Sequence, residues 1–319
     1  RMEFQVLFRH HRGIPHMAGG QRARQARIGI IIAAAAALTL AINDVAVPFA
    51  YAQGFSAPTV VFFRFVFLLL SLAALLPAFG LRYRLPKDDA LNALGSGIAT
   101  GIGTLGLLGA FAYIPVSLAL IILYTYPILT ALFESLHARR IPGAVEVICL
   151  VIALAGIGIV IGLDEVTLSS LGLLFGAIAA LGYAASIFWN SIKLRSADGT
   201  VVSFYMAISS VATTALFLVT TGTFALTQTG LSGWLPLLAT CFFFAVSFIG
   251  MFKAVQWAGG APTAMVLNLE PVFVMFLAAL LLGERLSLPR LLGCAMVIGA
   301  VVASEAWRNR KTAAVELAG

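Results

Sequence analysis

The residues able to do chemistry are few, and they sit in apolar surroundings. Asp44, Arg64 and Glu270 are ionisable groups inside long hydrophobic stretches. There a charge costs roughly 2.5–3.5 kcal/mol at a helix centre on insertion scales, so it must be satisfied or useful. Glu270 stands directly before Pro271. Proline has no N–H and frees the carbonyl four residues earlier, here that of Leu267, so polar groups concentrate at this point together with Asn268. A carboxylate held there can take up a proton or bind an amino group, or it can tie helices together. Asp44, beside Asn43, and Arg64 also allow two readings. They form an outer gate or substrate-carboxylate site, or they are a structural ion pair, with Arg64 also able to snorkel to the headgroups. Tyr124, Tyr126, Tyr183, Trp189, Asn190 and Tyr205 complete the candidates, because aromatic and amide groups at cavity depth can stack on a small polar molecule and hydrogen-bond to it. Packing and interface anchoring are the alternative for each.

Other chemistries find no residues. No paired-aspartate, Ser-His or HExxH arrangement that could act on a substrate is present, so no catalytic residue is assigned, and no ATP-binding motif occurs. Cys149, Cys241 and Cys294 lie in apolar stretches without CxxC spacing or a neighbouring histidine, which excludes a disulfide framework or zinc site. Neither metal nor cofactor is expected. Residues 101–106 spell GxGxxG, but no strand precedes them and no acidic residue follows at the spacing a dinucleotide site needs. Small residues four apart, Gly97 with Gly101 and Gly106 with Ala110, instead let helix backbones approach closely.

Such groups need helices to hold them at depth. Hydrophobic residues make up 61% of the 319 positions and charged residues 10%, against roughly 45–50% and 25% in soluble domains. A soluble fold could not hide that much apolar surface, and about 20 apolar residues are the unit that crosses a bilayer. Apolar runs between polar or Pro/Gly punctuation predict an all-α membrane protein with ten transmembrane helices, at 28–49, 59–79, 90–113, 117–138, 143–162, 169–193, 200–222, 233–256, 261–282 and 288–306. The first is too long, and too closely followed by further spans, to be a cleaved signal peptide. Residues 1–16, polar and irregular with His10, His11 and His16, read as a remnant of recombinant expression, with Met17 as the native start. Residues 17–27 form a basic N-terminus and 307–319 a tail.

Lys and Arg in short loops stay on the cytoplasmic side. Arg22, Arg24 and Arg27 precede the first span. Arg82, Arg84 and Lys87 follow the second, Arg139 and Arg140 the fourth, Lys193 and Arg195 the sixth, and Arg308, Arg310 and Lys311 the tenth. All five clusters fall on one side when both termini are cytoplasmic. The opposite loops, at 54–58, 115, 164–165 and 222–233, are nearly free of positive charge, and Arg285 and Arg290, beside Glu284, depart from the pattern. The net charge of +7 thus reports topology, and a nucleic-acid partner has no support. On this frame Asp44 lies ~24 Å from the cytoplasmic end and Arg64 ~8 Å below the outer end, both in the outer leaflet, at 1.5 Å per residue. Glu270 falls near the midplane. Lys253, Glu134, Glu146 and Glu305, near the cytoplasmic side, read as interface residues, and Trp234, Trp257 and Trp307 as bilayer anchors.

The two halves repeat weakly. Thr59-Val60-Val61-Phe62-Phe63-Arg64 matches Thr200-Val201-Val202-Ser203-Phe204-Tyr205, and Gly106, Ala110, Leu123 and Pro127 match Gly250, Ala254, Leu267 and Pro271 at one constant displacement. A duplicated unit with an odd number of helices enters the membrane from opposite sides. The expected fold is therefore two inverted five-helix repeats, 28–162 and 169–306, with a site between them near the midplane.

Leu269-Glu270-Pro271-Val272-Phe273, running on to Leu281-Leu282-Gly283-Glu284-Arg285, resembles the signature of the drug/metabolite transporter superfamily, EamA type. Phe63-Arg64-Phe65 and Tyr126-Pro127 are similar to the same family, and the resemblance extends over 28–307. Two positions depart from the pattern: Ile42-Asn43-Asp44 stands where many relatives carry Trp-Gly, and Arg139-Arg140 is the first-half counterpart of Gly283-Glu284. The resemblance implies a ten-helix bundle that exports or exchanges amino acids, drugs or other metabolites, and it points to bacterial amino-acid exporters of the YddG type. The expectation is a secondary transporter of the bacterial inner membrane, multi-pass and monomeric, with the lipid bilayer and a small-molecule substrate as partners. Amino acids are the favoured class, moved by alternating access around a midplane cavity. A multidrug or other metabolite transporter of the same fold is the alternative, then a passive channel; an enzyme is not expected.

Overall fold

The computed structural model describes residues 19–318 apart from 79, 82, 142, 164–168, 195–196 and 227–229. His10, His11, His16, Met17, Arg82, Asp164, Glu165 and Arg195, and the side chains of Arg22, Glu146, Glu305, Arg308, Arg310 and Lys311, lie outside the described residues. Among the described residues there are helices only: α1 (Gly19–Ala52), α2 (Ala57–Ala78), α3 (Lys87–Phe111), α4 (Val116–Leu123), α5 (Tyr126–His137), α6 (Ala144–Leu163), α7 (Ser170–Lys193), α8 (Gly199–Thr221), α9 (Gly230–Ala258), α10 (Gly260–Leu267), α11 (Glu270–Leu281) and α12 (Leu288–Ala318). Seven stretches among the described residues are long and apolar enough to cross a membrane, and three shorter apolar helices, Val147–Ile159, Glu270–Leu281 and Leu288–Ser304, accompany them. Their ends follow local chemistry. Asp198 caps α8 by accepting from Thr200 N at 2.8 Å and Val201 N at 3.2 Å, and Gly222, at φ 63°, takes the left-handed conformation that closes it.

Helix α1 starts nine residues before the expected span and α12 continues through the expected tail, and two further spans differ in kind. The stretches 117–138 and 261–282, predicted as single helices, are each broken, into α4 and α5 and into α10 and α11. The cause is proline. Pro127 and Pro271 fall in the first turns of α5 and α11, where a missing N–H costs nothing, whereas inside a continuous helix each would orphan a carbonyl. The chain tightens there: Thr125 N bonds Ile122 O at 3.2 Å and Leu269 N bonds Val266 O at 3.0 Å, the i to i+3 pattern of a 3₁₀ turn. The bounds of α10 and α11 repeat those of α4 and α5 at the displacement that relates Pro127 to Pro271.

Packing is reciprocal between the halves. α1 lies along α9 while α7 lies along α3, α1 touches α10 and α11 while α7 touches α4 and α5, and α6 pairs with α12. The glycines of α3 make the closest approaches. Gly97 and Gly101 face α8 at Met206 and Ser210, and a Cβ placed on Gly182 of α7 would fall 2.7 Å from Gly103 Cα. Backbone meets backbone at that crossing, which only small residues permit.

Candidate substrate cavity

Between the broken helices and α1, α2, α3, α7, α8 and α9 lies a cavity of about 390 Å³. Asp44, Arg64, Tyr124, Tyr126, Tyr183, Asn190 and Glu270 line it. The three ionisable groups, expected at two depths, are thus brought to one place. Arg64 Nη2 is 3.5 Å from Asp44 Oδ1, and both residues are buried, at 2% exposure each. Asn43 Nδ2 donates to the same Asp44 oxygen at 2.8 Å. Glu270 begins α11, so the N-terminal end of the helix dipole favours its carboxylate. Its Oε2 accepts from the Tyr124 hydroxyl at 2.7 Å, and its carboxyl shares the cavity lining with that of Asp44. The same hydroxyl lies 3.2 Å from Leu267 O, the carbonyl that Pro271 frees, so its one proton is shared between the two acceptors.

The guanidinium of Arg64 is only partly used. Its carbon sits 4.3 Å from the centroid of the Phe244 ring, a cation–π contact, while Nε and Nη1 are buried with no acceptor among the described atoms. Buried donors are nearly always paired, so an unpaired pair on one charged group calls for an explanation. Along the wall, the rings of Tyr124 and Tyr126 are 6.0 Å apart and those of Tyr126 and Tyr183 6.2 Å. Asn190 donates to Met206 Sδ at 3.6 Å, and its Oδ1 is buried without a partner among the described residues. The lining continues through Ser186 and Met206 to Leu194, Gly199 and Val202, where α7 ends and α8 begins. A larger groove of about 690 Å³ between α3 and α8 has no charged residue in its lining. It faces outward past exposed Leu216 and Phe217, as bilayer-facing surface does, so the chemistry belongs to the smaller cavity.

Four candidates are elsewhere. Asn43 stands behind Asp44 and Asn268 is buried at the α10–α11 break, neither lining the cavity. Trp189 is 43% exposed and donates to Asn92 Oδ1 at 3.1 Å. The Tyr205 hydroxyl donates to Tyr83 O at 2.9 Å. Phe244, Ser186, Thr100 and Met206 line the cavity without having been anticipated, since a phenylalanine in an apolar span carries no signal of its own. Pro48 did carry one: inside α1, it deprives the Asp44 carbonyl of its helical donor and marks the same depth. Of the interface residues, Glu134 accepts from Ser191 Oγ at 3.1 Å and Lys253 lies 5.5 Å from the Trp257 ring.

The sequence matches the EamA-like transporter family model twice, over residues 27–162 and 170–304. The chain belongs to the EamA-like transporter family. It is accordingly a multi-pass membrane transporter whose cavity lies where its two EamA copies meet, with Asp44, Arg64 and Tyr124 in the first copy and Glu270 in the second. A crystal structure described simply as that of a protein is 17% identical to it, with a TM-score of 0.57, covering 87% of this chain and 98% of that one. At that identity the likeness is one of fold. No curated protein matches the sequence.

Proposed function

We propose that this EamA-like transporter is a secondary transporter that exports or exchanges small metabolites bearing a carboxylate, amino acids foremost, by alternating access. The observation that carries this reading is the pair of unused donors on Arg64. Its Nε and Nη1 are buried without acceptors among the described residues at the wall of the cavity, and charged N–H donors beside a small-molecule cavity suit a carboxylate. Glu270, close to the same wall, suits the substrate ammonium or a proton, and Tyr126 and Tyr183 offer ring faces to a side chain. A cavity of about 390 Å³ is within the roughly 300–1,000 Å³ of small-molecule sites. In this reading the seven long and three short apolar helices make ten spans. They form two inverted five-helix units, in a bacterial inner membrane with both termini cytoplasmic. The reciprocal packing of the halves and breaks at matching positions support it, because discontinuous helices at corresponding places in two repeats frame transporter sites.

Uptake into proteoliposomes across a panel of amino acids, nucleosides and cationic drugs, with and without a pH gradient, tests the proposal. Saturable counterflow of amino acids that is lost in Arg64→Gln is the expected result. Transport confined to cations or nucleosides overturns the carboxylate reading, and flux that does not saturate makes the protein a channel.

A further inference from the structure

One departure from the charge pattern of the loops, Arg290 beside Glu284, plays no part in the cavity. Glu284 follows α11 and Arg290 stands in the first turn of α12. Arg290 is 4% exposed, its Nη1 lies 3.1 Å from Glu284 Oε2, and it donates to Ser117 Oγ at 3.4 Å. Glu284 Oε1 accepts from Val116 N at 2.8 Å, and Oε2 accepts from the Ser117 hydroxyl. A carboxylate from the second EamA copy therefore caps α4 in the first, where free N–H groups and the helix dipole favour negative charge.

The position of this network gives it a task. α4 runs from the capped end to Tyr124, whose hydroxyl holds Glu270, so eight residues connect the network to the site. The cavity leads the other way, to Leu194 and Gly199. Those residues are at the opposite end of α7 from Gly172, which packs against Ile114 just before α4. At the Glu284 end the halves are also tied by Ser56 Oγ donating to Thr223 O at 2.6 Å and by the T-shaped contact of Phe55 with Trp234 at 5.2 Å.

We propose that Glu284, Arg290 and Ser117 form the gate on the face away from the cavity mouth. It is made while the site faces the Leu194 end and broken when the site turns to the other face. This rests on the alternating-access reading above. Three charge-assisted hydrogen bonds clustered on one short half-helix suit a gate, because they form or part together when that half-helix tilts. The sequence places the same pair, with charges exchanged, at the other face: Arg140 and Glu146 stand at the displacement that relates Pro127 to Pro271, in the places of Glu284 and Arg290.

The test is made on the full chain in oriented membrane vesicles, with the three native cysteines replaced. A reporter thiol is introduced by Leu40→Cys, at a position that lines the cavity, and a membrane-impermeant thiol reagent is applied from the Glu284 face. Adding Glu284→Gln is expected to raise the labelling rate from that face by at least about tenfold, the shift that losing a hydrogen bond to a charged group gives a two-state equilibrium. A folded, monodisperse Glu284→Gln protein that labels at the parent rate overturns the gate. Independently, Ser117→Cys with Glu284→Cys, cross-linked, is expected to stop counterflow until reduced, and undiminished counterflow in the cross-linked protein overturns the gate equally. Labelling reads the gate without any substrate, so a panel in which no solute is carried counts against the transport reading alone.

Discussion

The hydroxyl of Tyr124 reaches Glu270 Oε2 at 2.7 Å and the Leu267 carbonyl at 3.2 Å, so a side chain at the break in one EamA copy closes the break in the other. The two discontinuities are thereby one structure. A movement of either half-helix is felt at the carboxylate, and ionisation of the carboxylate is felt at both half-helices.

Glu270→Gln keeps the shape and most of the hydrogen bonding of the side chain while removing its charge. Expression and a monodisperse bundle are expected to survive, with transport reduced at least about tenfold, equivalent to ~1.4 kcal/mol, or with its pH dependence abolished. Counterflow measured across a pH series checks this. Parental rates with an unchanged profile would show that Glu270 only binds helices together.

Asp44 and Arg64 are buried opposite charges 3.5 Å apart, and removing one partner leaves the other unpaired in a medium that solvates it poorly. Asp44→Asn is therefore expected to cost much less in an Arg64→Gln background than alone, with a coupling of about 1 kcal/mol or more in detergent-solubilised thermal unfolding and in transport. Additive effects would reject the pair.

Gly182 and Gly299 are both helical, but among the described residues only the first has a backbone against it: a Cβ there would fall 2.7 Å from Gly103 Cα, whereas one on Gly299 meets no described atom within 4 Å. Gly182→Ala is expected to destabilise the bundle by ~1–3 kcal/mol through overpacking. Gly299→Ala is expected to be neutral or to gain up to ~1 kcal/mol of helix propensity. Thermal melts of the two variants side by side decide it, and equal midpoints would remove the α3–α7 crossing as a source of stability.

Topology is open to direct labelling. Thiols introduced by Arg84→Cys and Lys193→Cys should react from the cytoplasm, and one introduced by Phe224→Cys, at a position 49% exposed, from outside. Reaction of the Lys193 and Phe224 variants from the same face would end the inverted-repeat proposal.

Helical membrane character and the family were legible in the sequence, because apolar length and short motifs such as Glu270-Pro271 act locally. Candidate residues could be ranked for the same reason: a charge in an apolar run is costly wherever the run packs. Residue counting also gives depth along each helix, but rotation about the helix axis and the choice of neighbour depend on packing between segments far apart in the chain. So Asp44, Arg64 and Glu270, read at two depths, meet at one wall only in the tertiary structure, while Trp189 and Tyr205, equally plausible by composition, turn to Asn92 and Tyr83. Arg290 looked like an exception to the loop charges because its acceptor, the Ser117 hydroxyl, is 173 positions away. Phe244 was invisible for the converse reason: its ring becomes a partner for a cation only where α9 lies against α2, and nothing in a run of phenylalanines distinguishes the one that Arg64 will meet.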